Sequence, residues 1–252
     1  MLQSFQIHNR QLNQLPNRAK LLITTINAYC YNLTHIDAVY YQALLSSDVL
    51  IPDGISVVWA IRWLTGQKLQ KIAGADLFFY ELKRLQQTGG KCFFLGSTMT
   101  TLNQIKEKIN LEYPRIKVET YSPPYKPVFS EDDNSAMLIR INAFIPDVLM
   151  IGMTAPKQEK WAYEHFNQLQ VGHICCIGAV FDFYAGIINR APKWMINLGL
   201  EWLYRLVKEP RRMWRRYLIG NLMFIVYVIK EKIKQKKPRG TNPGESYRIE
   251  PN

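Results

Sequence analysis

FFLGSTMTTLNQIKEKI, residues 93–109, sets the pattern for the chain. An apolar run of strand character ends in Gly96, and a helical pattern opens on Ser97 or Thr98 and continues to Tyr113. Similar units recur on either side. Residues 21–26, 48–52, 91–97, 116–121, 147–153 and 173–183 have the length and β-branched or aromatic content of strands. Helical patterns cover 76–87, 98–113, 134–144 and 157–168, and the proline-rich, acidic stretch 122–135 reads as a surface loop. Short apolar strands between helices predict an α/β fold of Rossmann-like kind, a mostly parallel sheet with helices on both faces.

In such sheets ligands collect beyond the carboxyl ends of the strands. The residues there are small or polar: Thr25 and Asn27, Asp53 and Gly54, Gly96 and Ser97, Gly152 to Pro156, and Asp182. Each has two readings. Thr25 and Asn27 cap a helix or hydrogen-bond a ligand, and Asp53 belongs to a Pro-Asp-Gly turn or is a carboxylate at the mouth of the sheet, able to act as a general base. The helix after Gly96 is simply capped by Ser97 or Thr98, or receives a phosphate on its free N–H groups. The polar trio Lys157, Gln158 and Glu159, which follows Pro156, is a solvated first turn or part of a site.

Several function classes lose support. GxGxxG and GxxxxGK[ST] are both missing, which disfavours dinucleotide and P-loop enzymes. Asp-x-Asp, the pair with which many sugar-nucleotide transferases hold a divalent metal, is missing too. Cys30, Cys92, Cys175 and Cys176 lack CxxC spacing and lie in apolar surroundings, as reduced core thiols of a cytosolic protein do. No metal centre and no cofactor is expected. The first residues lack the apolar stretch of a signal peptide.

The 252 residues carry a formal net charge of +12, and residues 205–239 hold twelve basic residues against Glu209 and Glu231. The body before them is close to neutral. From about Pro192 the composition turns to Trp, Arg and Lys, so the expected division is a core over 1–191 and a basic helical appendage over 192–252 with a disordered end. Residues 218–229 would reach only about 18 Å as a helix, against about 30 Å of hydrocarbon, so they do not span a membrane. Trp214, Tyr217, Leu218, Leu222, Ile225, Ile229 and Ile233 form an apolar stripe bracketed by cations, which suits a helix lying in the interface of an anionic leaflet. The plainer reading is a core helix or a contact between copies in a homo-oligomer. Nucleic acid is not expected as a partner, since no recognised binding module accompanies the charge.

Taken together, TIN with Asp53-Gly54 after it, then KIAGADLF, FFLGS, GMTAPKQEKW, IGAVFDFYAG and RAPKWMINLGLEWLYRLVKEPRRMWRRY, resemble the WecG/TagA/CpsF family of bacterial glycosyltransferases, glycosyltransferase family 26, over residues 21–217. The resemblance implies an inverting, metal-independent transferase, peripheral on the cytoplasmic face of the plasma membrane. It would move a sugar of N-acetylmannosamine or glucose type from a UDP-sugar donor to a polyprenyl-diphosphate-linked saccharide acceptor in cell-surface polysaccharide synthesis. It makes Asp53 the base, with Thr25 catalytic beside it. Lys71, Gln158 and Asp182 become substrate-binding, joined by Arg205 and Arg212 from the appendage; Asn27, Gly96, Ser97 and Gly152, read from the strand ends, complete the expected substrate-binding set. Lys71 stands where the family usually has Arg, and Ala75 where it usually has Ser; a lysine cannot offer a diphosphate the planar fork of a guanidinium. The alternative is a catalytically inactive membrane-surface scaffold of the same fold.

Overall fold

A computed structural model describes residues 1–236, apart from the side chains of Lys193, Asn197, Arg212 and Lys236. The end expected to be disordered lies outside the described residues beyond 236. The six strands are β1 (Leu21–Ile26), β2 (Val49–Pro52), β3 (Lys91–Gly96), β4 (Lys117–Tyr121), β5 (Val148–Gly152) and β6 (His173–Cys176). They form one sheet in the order β2-β1-β6-β5-β3-β4, with every pairing parallel. Helices α1 (Ala28–Leu33) and α2 (Ala38–Leu45) follow β1, while α3 (Ile55–Thr65) and α4 (Gly74–Thr88) follow β2. Then α5 (Met99–Glu112), α6 (Glu131–Phe144) and α7 (Lys157–Glu164) join successive strands, and α8 (Val180–Ala185) follows β6.

The strands read as unbroken apolar runs because both faces of the sheet are covered. Alternate residues go to opposite sides. Ile23, Phe94, Met150 and Cys175 pack with Phe78, Leu82, Leu102 and Ile105 of α4 and α5. On the other face Leu22, Phe93, Leu149 and Ile174 pack with Met137, Ile141 and Trp161 of α6 and α7. All four cysteines are free and buried.

Three expectations need correction. The strand expected over 173–183 ends at Cys176, and α8 begins at Val180. Gly178 takes the left-handed conformation between them, and α8 stays apolar because Val180, Phe181 and Tyr184 are buried against the sheet. The loop expected over 122–135 ends at Ser130, which caps α6, leaving Glu131, Asp132 and Asp133 in its first turn. Their charge favours the positive end of the helix dipole. The helix expected over 157–168 stops at Glu164 and resumes as a 3₁₀ turn, Phe166–Gln168.

From Lys193 the chain forms α9 (Lys193–Asn197), α10 (Glu201–Lys208) and α11 (Pro210–Trp214), then a π-helical turn, Arg215–Ile219, that leads into α12 (Gly220–Lys236). This segment returns to the body. Phe224 and Val228 are buried in a cluster with Tyr31, Val57 and Ile61. Asn32 Nδ2 donates to the Gly220 carbonyl (2.6 Å), and the Glu231 carboxylate accepts from the N–H of Leu2 (2.9 Å) and the hydroxyl of Tyr31 (2.8 Å). Lys232 Nζ donates to the carbonyl of Trp63 (2.8 Å) at the end of α3. The apolar stripe read from the sequence is not the docking face: Leu218, Leu222, Ile225, Ile229 and Ile233 are all exposed. No described helix is long and apolar enough to cross a membrane.

Candidate active site

The carboxyl ends of the strands open into a cavity of about 1390 Å³, closed over by α10, the π-helical turn and α12. Local chemistry places its walls. Asn27 follows β1 directly and caps α1, its Oδ1 accepting from the N–H of Cys30 (3.0 Å), so its amide NH₂ remains for a ligand. Thr25, almost fully buried, lies two residues earlier, on β1. Asp53 follows β2 directly, with its N–H donating to the carbonyl of Ile26 (2.9 Å). Gly54 lies against Asn27, where an added Cβ would stand 3.4 Å from the Asn27 Cβ. The two readings of Asn27 and of Asp53 are therefore compatible: each shapes a turn and also faces the cavity.

On the other half of the sheet, Gly96 and Gly152 are register partners at the ends of β3 and β5. Gly96 is left-handed (φ 111°), and a Cβ there would meet the Gly152 carbonyl oxygen at 2.7 Å. A Cβ on Gly152 would meet the Phe181 ring at 2.3 Å. Glycine is thus required at both by close packing. Ser97 also has positive φ (61°), and the cap of α5 is Thr98, whose Oγ1 accepts from the N–H of Thr101 (3.2 Å). The first-turn N–H groups of α5 therefore begin at the cavity wall, where Thr98 and Met99 lie.

The electrostatic centre is Asp53. Ile72 N–H donates to the Pro52 carbonyl (3.2 Å), which brings Lys71 alongside. Lys71 Nζ lies 3.6 Å from Glu201 of α10, and Arg190 Nε lies 3.3 Å from the other oxygen of the same carboxylate. Burial, then the Glu201 charge, pushes the Asp53 carboxyl up to about 6; Lys71 pulls it back, Asp76 adds to the rise, and Arg190 opposes it. A carboxylate with that affinity for a proton suits general-base work near neutral pH.

A second carboxylate sits deeper. Glu159 is 1% exposed, and its Oε1 accepts from Gln158 Nε2 (2.8 Å), while Gln158 Oε1 accepts from the N–H of Met153 (3.2 Å). Burial raises Glu159 to about 7, against the opposing Gln158 hydrogen bond and the Arg216 charge. Its Oε2 and Arg216 Nε are both buried without a hydrogen-bond partner. Arg216 stacks over the Tyr29 ring at 4.4 Å, and the Arg205 guanidinium lies 5.5 Å from the Phe183 ring centroid.

Of the residues expected from the sequence, Thr25, Asn27, Asp53, Lys71 and Gln158 share this one cavity. Gly96, Ser97, Gly152, Asp182 and Arg205 line it as well. Asp182 lies in the first turn of α8 and not at a strand end. The side chain of Arg212 lies outside the described residues. Glu201, Arg190, Glu159 and Arg216 were not expected. A signal for Glu201 existed, since it is the only acid between Asp182 and Glu209. Among the described residues no group of three or more His, Cys, Asp or Glu side chains is placed to hold a metal.

The chain is 33% identical over 217 residues to the N-acetylglucosaminyldiphosphoundecaprenol N-acetyl-beta-D-mannosaminyltransferase of Bacillus subtilis strain 168, covering 86% of this chain and 81% of that one. It is 29% identical over 225 residues to the protein of the same name from Staphylococcus aureus strain MW2, covering 89% and 86%. The profile of the glycosyl transferase WecG/TagA/CpsF family matches residues 3–238, from before β1 to beyond the end of α12. The motifs that build the cavity and the segment that closes it thus fall within one match, and the chain belongs to the WecG/TagA/CpsF family of glycosyltransferases.

Proposed function

We propose that this glycosyltransferase moves N-acetylmannosamine from its UDP derivative to a polyprenyl-diphosphate-linked N-acetylglucosamine, with inversion and without a metal. The relatives' names support the acceptor and the sugar. The observation that carries the chemistry is Asp53, half-buried at the cavity mouth, with a raised proton affinity and two cations beside it. The acceptor hydroxyl attacks the anomeric carbon from the face opposite UDP. As the new C–O bond forms, the bond to the diphosphate breaks, the hydroxyl proton passes to Asp53, and UDP departs with the bonding pair. A base so placed contributes roughly 10²–10⁴ in rate. Charge developing on the leaving diphosphate meets Lys71, Arg190, Arg205 and Arg216 around the cavity, together with N–H groups at the start of α5. Thr25 and Asn27 orient the sugar and the base. The exposed apolar stripe of α12 and its flanking lysines hold the enzyme at the anionic inner face of the plasma membrane, where such acceptors reside.

The test is transfer from a panel of UDP-sugars to the lipid-linked N-acetylglucosamine, with chelator present, for wild type beside Asp53→Asn. One donor is expected to react. Wild-type kcat is expected to rise with pH and level above about 6, as Asp53 gives up its proton. Asp53→Asn is expected to bind the donor normally and to lose at least about a hundredfold in kcat. Equal losses in donor affinity and turnover would make Asp53 a binding residue, and a strict need for divalent metal would remove the cationic account of the leaving group.

A further inference from the structure

The cavity does not end at its polar edge. It continues as an apolar trough between α3 and α12, walled by Trp59 and Trp63 on one side and by Ile225 and Ile229 on the other. The two indoles are one helical turn apart on one face of α3, 65% and 51% exposed. Ile225 and Ile229 are likewise one turn apart, 51% and 42% exposed, each next in sequence to a residue that anchors α12, Phe224 or Val228. The trough is held open by fixed walls: α12 is packed on Tyr31 and tied by Lys232 to the end of α3.

Its direction is set by the chain. α3 starts two residues after Asp53, so Trp59 and Trp63 lie roughly 6 and 12 Å along the helix from Ile55. Arg216 and Asn221 line the same cavity, on the segment that enters the trough. A ligand that reaches from Asp53 into the trough passes from a carboxylate, across cations, to indole and aliphatic side chains. That sequence of environments matches a saccharide hydroxyl, a diphosphate and a hydrocarbon chain, in the order in which a prenyl-diphosphate sugar carries them.

We propose that the trough between α3 and α12 binds the first isoprene units of the acceptor, with Trp59, Trp63, Ile225 and Ile229 as its walls. This rests on the transferase reading above for the nature of the acceptor. The trough makes the enzyme select its acceptor by the tail as well as by the sugar. It also leaves the remainder of the prenyl chain to run out beside the exposed face of α12.

The test reads binding and needs no turnover, so it stands whether or not sugar transfer is detected. The full chain is titrated by calorimetry with geranylgeranyl diphosphate, kept below its micelle concentration, and separately with inorganic diphosphate. Wild type is expected to bind the prenyl compound at least about tenfold more tightly, since each buried methylene contributes. Trp59→Ser/Trp63→Ser is expected to bring the two affinities within about threefold, and Ile225→Asn/Ile229→Asn, from the opposite wall, to do the same. All four side chains are well exposed, so the variants keep the fold. Equal wild-type affinities for the two compounds would overturn the proposal, as would variants that retain the preference. So would a wild type that self-associates through this face, shows no prenyl preference and turns monomeric in the tryptophan variant, since the occupant would then be a second copy of the chain.

Discussion

Asp53 and Glu159 are two carboxylates in one cavity whose surroundings set them different tasks. Asp53 faces the opening with Lys71 and Arg190 near, whereas Glu159 is 1% exposed and holds the Gln158 amide in place. With its carboxyl raised to about 7, Glu159 keeps a proton in the folded protein that the unfolded chain releases near the ordinary value of 4.5. Stability from this group is therefore complete at low pH and falls as pH rises from about 4.5 to about 7, by at most roughly 3 kcal/mol. Glu159→Gln keeps the shape and removes the titration. Between pH 6 and pH 8, above the range in which Asp53 titrates, its melting temperature is expected to decline less than that of wild type; a parallel decline in both would place the cause elsewhere. Asp53, Thr25, Asn27 and Gln158 were legible from the sequence because each sits at the end of a strand or the start of a helix, where the chain itself fixes the position. Arg190 was not, and Glu201 only as the lone acid of its stretch, because they come near Asp53 through the folding-back of a distant segment, and no local pattern records that path.

At the scale of elements, the parallel strands were legible for the reason that they are stable: burial on both faces leaves a run of apolar residues with turn formers at either end. The same signal failed after Cys176. IGAVFDF remains apolar although it turns into α8, because a short helix packed against a sheet is as apolar as a strand, and its few residues show no clear period. Phe181 on that helix fills the space left by Gly152, which explains why a glycine ends β5. Gly152→Ala is expected to cost about 1–3 kcal/mol in denaturant unfolding, since neither the ring nor the backbone can yield fully. In a double-mutant cycle, Phe181→Leu should recover part of that loss; strict additivity would show that the two do not touch. The tail helix was legible as amphipathic but was assigned a single apolar face. It has more than one, with Phe224 and Val228 docking on α1 and α3, Ile225 and Ile229 lining the cavity, and Leu222 and Ile233 left to solvent.

Across the whole molecule the charge is lopsided, with nearly all of the excess on the segment that closes the cavity. Binding to vesicles that contain anionic lipid is therefore expected, weakening as salt is raised, with little binding to neutral vesicles. Lys230 and Lys234 are exposed. Replacing both with Gln is expected to weaken co-sedimentation by at least about tenfold, at about 1 kcal/mol for each charge; an unchanged partition would take the tail off the membrane. The position of Glu201 on this same segment has one more effect. Its carboxylate engages Lys71 and Arg190 and raises the proton affinity of Asp53. Were α10 displaced, both cations would face Asp53 unopposed, and the carboxylate would become a poorer proton acceptor. The strength of Asp53 as a base is thus set in part from a segment distant in sequence: Glu201→Gln is expected to move the level region of kcat to lower pH, and an unmoved profile would leave burial as the whole cause.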